Sequence, residues 1–345
     1  MCQSKMSQKQ QSLALAAQKN PHYRFTNLYS LMHWDYWIQC AATAVLARPG
    51  SSTAGIDGTT RDIFKKDYEQ EIQMLVESLK KKTYQPQPVR RAYIPKANGK
   101  KRPLGIPVLR DRIVQEALRA ILDPIYETDF QPYSFGFRKG RCTMDAIAVI
   151  MSLTGLKAKY YYVIEGDIKS YFDTVHHRKL LSILKQRIAD QDLLDLILKF
   201  LKAGVMEDGL FARTETGVPQ GGVISPLLAN IYLNEFDKWA NEKWNGTTYE
   251  RTKRRKAGKG NYCLIRYADD VRRRETAQEE TRRRVNVREI RCKAPTLSRP
   301  GNRLGSVAWW ERPEFCNPQQ TTEGQARLDM ARAKLPKDQF RAVIA

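Results

Sequence analysis

The chain has 345 residues, 42% of them hydrophobic, and a formal net charge of +22 from 59 Lys and Arg against 37 Asp and Glu. That length allows two or three domains with real cores. No apolar run of 18 residues and no leader-like apolar stretch is present in the sequence, so neither a membrane-spanning helix nor a secretory signal is expected. The charge points to a polyanionic partner, nucleic acid first. The six cysteines stand singly, with no CxxC pair, which argues against a zinc centre and a disulfide framework and fits a reducing compartment.

Residues 1–20 are polar and free of acids and read as a frayed, mobile basic arm. The segment FTNLYSLMHWDYWIQCAATAVLA (25–47) is apolar enough for one or two packed helices, and RPGSSTAGIDGTT (48–60) reads as a loop. In 66–84, Ile72, Leu75, Val76 and Leu79 fall on one helical face, with lysines in the last turn. Residues 85–107 predict two short strands around an Asn98-Gly99 turn. Asp111 is positioned to cap the next helix, which carries Ile113, Val114, Ala117, Leu118, Ile121 and Leu122 and should end near Pro124.

A helix over about 143–153 leads to Tyr160–Ile164, a continuous aromatic and β-branched run typical of a strand buried on both faces. Residues 178–202 predict two helices. Ser225 and Pro226 open another, with a stripe of Leu227, Leu228, Ile231, Phe236 and Trp239. RTKRRKAGKG (251–260) reads as a basic loop, and YCLIRYADD (262–270) as the last strand.

Three acids stand out. Asp167 ends one strand and Asp269-Asp270 ends another. An Asp-Asp pair at a strand end is ordinarily a turn. If the two strands lie side by side, however, three carboxylates converge, and burial then demands a cation. Two hard divalent ions held about 4 Å apart activate a hydroxyl and stabilise a leaving pyrophosphate. Pro219-Gln220-Gly221-Gly222 supplies an amide and two glycines that let backbone approach a bulky ligand. Phe172 is either a core aromatic or a pocket wall able to exclude a ribose 2′-hydroxyl, while Asp173 and Asp237 read as ordinary helix or turn acids.

Taken in order, YIPKANGKKRPLGIPVLRDRIVQEAL, YSFGFRKGRCTMDAI, VIEGDIKSYFDTVHH, TGVPQGGVISPLLANIYLNEFD and YADD resemble the segments of reverse transcriptases, nearest to the group II intron-encoded (maturase, retron-type) kind. TAGIDGTT resembles the extra N-terminal segment of that kind, so the likeness covers roughly 25–270. The resemblance implies an α+β right-hand polymerase with fingers and a ferredoxin-like palm sheet packed by helices. The implied divisions are a basic, helical extension over 1–47, fingers with part of the palm over 48–162, and palm over 163–270. It implies RNA-directed DNA polymerisation in the service of intron mobility or splicing. An RNA template (intron RNA), DNA primer and dNTPs would be the partners, two Mg²⁺ ions the cofactors, and the cytoplasm of a bacterium or an organelle the setting. Asp167, Asp269, Asp270 and the Ile168 carbonyl would hold the metals. Lys96 and Arg102 would grip the triphosphate, though on their own they read as solvated charges. Phe172 would gate the sugar, Gln220 and Gly221 would position template and nucleotide, and Arg138 would contact either.

The likeness stops at 270. Residues 1–270 hold 18 Arg and 24 Lys, whereas 271–345 hold 14 Arg and 3 Lys and lose apolar periodicity. The return strand of the family would here read VRRRET, and three arginines in succession argue against a strand beside a buried site. The expectation is therefore a disordered or frame-shifted tail, no thumb, and weak or absent polymerisation. The alternatives are a tail that folds on RNA and a non-catalytic RNA-binding maturase remnant.

Overall fold

The computed structural model describes residues 2–95, 99, 101–154, 162–168, 171–207, 209–219, 221–244, 247–258, 261–268 and 270–275. In chain order the elements are α1 (Cys2–Lys19), α2 (Asp35–Leu46), α3 (Arg61–Lys66), α4 (Tyr68–Lys80), β1 (Val89–Pro95), β2 (Lys101–Ile106), α5 (Leu109–Tyr126), α6 (Thr143–Thr154), β3 (Tyr162–Asp167), α7 (Tyr171–Thr174), α8 (His177–Leu184), α9 (Gln191–Leu201), β4 (Val205–Glu207), β5 (Leu210–Ala212), α10 (Ser225–Trp244), α11 (Thr248–Lys256), β6 (Tyr262–Tyr267) and β7 (Asp270–Glu275). The chain is thus mixed α+β. It divides into two compact units, one of Met1–Phe130 with Ser170–Phe236, the other of Gln131–Lys169 with the chain from Asp237 onward. Among the described residues no helix is long and apolar enough to cross a membrane.

The first unit is built on α5. Its apolar residues Ile113, Val114, Ala117, Leu118, Ile121 and Leu122 are all buried, and so are Asp111, Arg112, Gln115 and Glu116. Helix α5 does not end at Pro124 but runs two residues past it. Proline cannot donate to the carbonyl four residues back, and that carbonyl, Ala120 O, instead accepts from Gln10 Nε2 at 2.9 Å. This is one reason why residues 2–19 are a helix and not the mobile arm that their polarity predicts. Leu13 and Ala17 are buried, and the Ala17 carbonyl accepts from Arg187 at 3.1 Å. Helix α4 buries the four predicted apolar residues.

The unit's sheet has the order β2-β1-β4-β5. β1 and β2 form the predicted antiparallel hairpin, from Arg90 opposite Ile106 to Pro95 opposite Lys101, and Gly99 in its turn has φ 75°. β1 also runs parallel to β4.

The second unit has a three-stranded antiparallel sheet in the order β3-β7-β6, with β3 and β7 described as backbone ladders. Its core joins Cys263 and Ile265 of β6 to Ala146 and Ile150 of α6 and to Phe135. The return strand that the arginines argued against is present: β7 lies between β3 and β6, paired along six residues on each side. Residues 276–345, and with them the expected tail, lie outside the described residues.

Residues 248–256 are helical, not a loop. A capping box between Thr247 and Glu250 starts α11, and Arg254 donates to the carbonyls of Trp244 and Lys243 at the end of α10.

Candidate active site

In the second unit the ladder sets Asp167, the last residue of β3, directly opposite Asp270, the first of β7. Tyr267 of β6 faces Asp270 on the other side. Directly opposed residues of an antiparallel pair have Cα atoms roughly 4.5–5.5 Å apart, and like charges at such a rung repel. The strand carrying Asp167 is therefore not beside β6, as the side-by-side expectation had it, but beside the strand that Asp270 begins. Ile168 follows directly and is half-buried, while Asp269 lies outside the described residues. Among the described residues no three His, Cys, Asp or Glu side chains gather as a metal site.

The turn between β6 and β7 is braced from below. Arg266, essentially unexposed, reaches both carboxylate oxygens of Asp237 at 2.9 Å through Nε and one again at 2.7 Å through Nη2. The same guanidinium donates to Ser134 Oγ and to the Ala268 carbonyl, each at 2.7 Å. Asp237 is thus not an ordinary surface acid but half of a buried ion pair, 4% exposed. Its signal in the sequence was Arg266 itself, a charge inside the apolar strand YCLIRY, which needs a partner.

In the first unit three predicted segments meet. The Phe172 carbonyl accepts from Val218 N at 2.6 Å, and Gly217 N donates to the Val175 carbonyl at 2.8 Å. His177 Nε2 lies 2.6 Å from the Gly217 carbonyl. A carbonyl only accepts, so this nitrogen carries the proton. Burial pushes the imidazole below its ordinary pKa, against the opposing pull of that carbonyl. Gly221, at φ 110°, touches β2: a Cβ there would sit 2.4 Å from the Gly105 carbonyl. Val223 N donates at 2.8 Å to Gln115 Oε1, a buried polar residue of α5 that sequence reasoning did not single out. Ser225 is the first residue of α10, and its hydroxyl donates to the Pro219 carbonyl at 2.7 Å. The loop over 217–223 is therefore tied to Phe172, to β2 and to α5. Arg102 is exposed on β2 opposite Ile94. Lys96 and Gln220 lie outside the described residues.

Arg138, in the second unit, is buried, and its Nη1 donates to the carbonyls of Gln131 and Ser134 at 2.8 and 2.7 Å. It braces its own loop. Asp111, expected as a cap, lies inside the first turn of α5 and accepts from Tyr84 OH and Gln87 N at 2.6 and 2.9 Å. Burial raises its carboxyl to about 6, only partly offset by those two donors.

Comparison with known proteins supplies the class to which these segments belong. The profile described as "Reverse transcriptase (RNA-dependent DNA polymerase)" matches residues 94–293. The chain belongs to the reverse transcriptase family. It is 45% identical over 241 residues to protein YkfC of Escherichia coli (strain K12), covering 69% of this chain and 63% of that protein. It is 44% identical over 224 residues to the group II intron-encoded protein LtrA of Lactococcus lactis subsp. cremoris, covering 65% of this chain and 36% of LtrA. A 91 kDa protein in the cob intron of Schizosaccharomyces pombe is 36% identical over 263 residues, 76% of this chain and 32% of that one. The chain thus spans less than two thirds of the length of these relatives.

Proposed function

We propose that the chain is an RNA-directed DNA polymerase of the group II intron type, extending a DNA primer on an RNA template by two-metal nucleotidyl transfer. The observation that carries this reading is the opposition of Asp167 and Asp270 at one rung. Backbone pairing sets two aspartates opposite one another, and hard divalent ions suit carboxylate and phosphate oxygens. The donor set therefore fits Mg²⁺. Asp167, Asp269, Asp270 and the Ile168 carbonyl would hold it, and the ions would activate the primer hydroxyl and neutralise the leaving pyrophosphate.

The chain's own residues do the rest. The sheet containing β3 and β7 takes the part of the palm, and the β1–β2 hairpin that of the fingers. Arg102 and Lys96 bind the triphosphate. Phe172, its backbone fixed by Val218, excludes a 2′-hydroxyl. Gln220 and Gly221 line the nucleotide on a loop whose path is set by Gln115 and Gly105. Arg138 supports the template side through its loop. The intron-encoded relatives support intron RNA as the template class. Strand β7 bears on one of the two reasons for expecting inactivity, the missing return strand; the other, a missing thumb, falls on residues outside those described.

The test is primer extension by the purified chain on an RNA template with Mg²⁺ and dNTPs. Incorporation should fall by about a thousandfold in Asp270→Asn, the scale of losing a metal ligand that acts in the transition state. Binding of RNA without incorporation, in wild type and variant alike, would replace this reading with that of a non-catalytic maturase remnant.

A further inference from the structure

We propose that Arg266, anchored by Asp237, is a positioning residue that holds Ala268 in its left-handed conformation at the end of β6, two residues before Asp270 opens β7 opposite Asp167. The proposal rests on the polymerase reading for its catalytic consequence, but its geometric claim stands apart from it.

Ala268 adopts φ 56°, the left-handed region, which costs a residue with a Cβ and persists only where surroundings over-determine it. Three observations supply that constraint. The Ala268 carbonyl accepts from Arg266 Nη1 at 2.7 Å. Gly136 lies so close beneath the turn that a Cβ on it would sit 2.2 Å from Ala268 N. The 133–135 segment is stitched to the end of β6, with Arg266 N donating to the Tyr133 carbonyl and Phe135 N to the Arg266 carbonyl, both at 2.9 Å.

The guanidinium is the common member. Its rigid fork of donors serves Asp237, Ser134 and Ala268 at once. Asp237 fixes the plane of the fork and neutralises it, so that the remaining donors can reach a carbonyl and a hydroxyl in a buried place. A lysine has one nitrogen and cannot meet all three acceptors in those directions. Ala268 lies two residues before Asp270, so a relaxed φ at Ala268 would change the backbone path by which the chain enters β7.

The experiment compares wild type, Arg266→Lys, Ser134→Ala, Ala268→Gly and the double variant Arg266→Lys/Ala268→Gly in the full chain. Two readouts are taken: the Mg²⁺ concentration for half-maximal primer extension against the KM for template–primer, and amide hydrogen exchange at 267–271 against exchange in α5. Arg266→Lys should raise the Mg²⁺ requirement about tenfold with template KM unchanged, and speed exchange at 267–271 about tenfold while α5 stays protected. Glycine takes a left-handed φ freely, so Ala268→Gly in the lysine background should recover most of the Mg²⁺ affinity. Ser134→Ala, which removes one acceptor only, should move both readouts the same way by about two- to threefold, and it keeps the test open if the lysine variant does not fold. Unchanged Mg²⁺ requirement and unchanged local exchange in a folded variant overturn the proposal. So does exchange accelerated across the whole chain with no rescue by glycine, which would make the pair a plain strut. A wild type that incorporates no nucleotide defeats the polymerase reading alone, and local exchange then decides the positioning claim.

Discussion

The two units bury polar side chains in different ways. Around α5, four polar residues distribute their bonds over many partners. Arg112 reaches the carbonyls of Pro107, Gly50 and Thr53 at 2.7–2.8 Å. Glu116 is shared by Arg48 at 2.9 Å and Arg119 at 2.5 Å. Asp111 and Gln115 each hold a backbone N–H of a loop. Among the described residues of the second unit, the buried guanidinium of Arg266 is paired with one acid, Asp237. A distributed network tolerates the loss of a member, because the orphaned group keeps another partner. A single pair does not, because the remaining charge is stranded in a dry place.

This contrast is sharpest when each network loses one arginine. Arg266→Ala should cost roughly 3–5 kcal/mol, the penalty for an uncompensated buried charge, read as a large fall in the urea midpoint. A cost below about 1 kcal/mol would show that water reaches Asp237 and would erase the contrast.

Asp111 gives the next effect, through pH. Its folded carboxyl titrates near 6, against an ordinary 3.8, chiefly because it is buried. The folded state therefore holds this proton more tightly than the unfolded chain does. The associated stability is complete below about pH 4 and is lost as pH rises through 6, amounting to about 3 kcal/mol at 1.36 kcal/mol per unit. Urea midpoints at pH 4 and pH 7 should show that slope, and Asp111→Asn should flatten it.

Gln115→Ala removes the acceptor for Val223 N and should cost about 1–2 kcal/mol, with the loop at 217–223 exchanging faster than α5. Arg48→Ala should do least. Arg48 is nearly half exposed, and Arg119 still pairs Glu116, so a loss under about 1 kcal/mol is expected by thermal melting. A larger loss would mean that the network around α5 is as brittle as the pair in the second unit.

What the sequence made legible was local. The stripe of Ile72, Leu75, Val76 and Leu79 declares α4 by period alone, and the Asn98-Gly99 signal declares the β1–β2 hairpin. The ordered motifs also point to the family. What escaped depends on partners far along the chain. Residues 2–19 look frayed because their anchors, Ala120 O and Arg187, come more than a hundred residues later. Strand β7 looks impossible on side-chain polarity, yet it is paired by backbone on both edges, which no residue count reveals. Asp237 looks ordinary until Arg266 is brought beneath the turn.

The anchoring of α1 has a consequence for synthesis. Ala17 finds its guanidinium partner only 170 residues downstream. At a ribosome speed of about 5–20 residues per second, the opening helix waits on the order of ten to thirty seconds for Arg187 to emerge. During that interval α1 can meet α5 through Ala120, but the Ala17 carbonyl lacks its guanidinium. The start of this chain is made first and settles among the last.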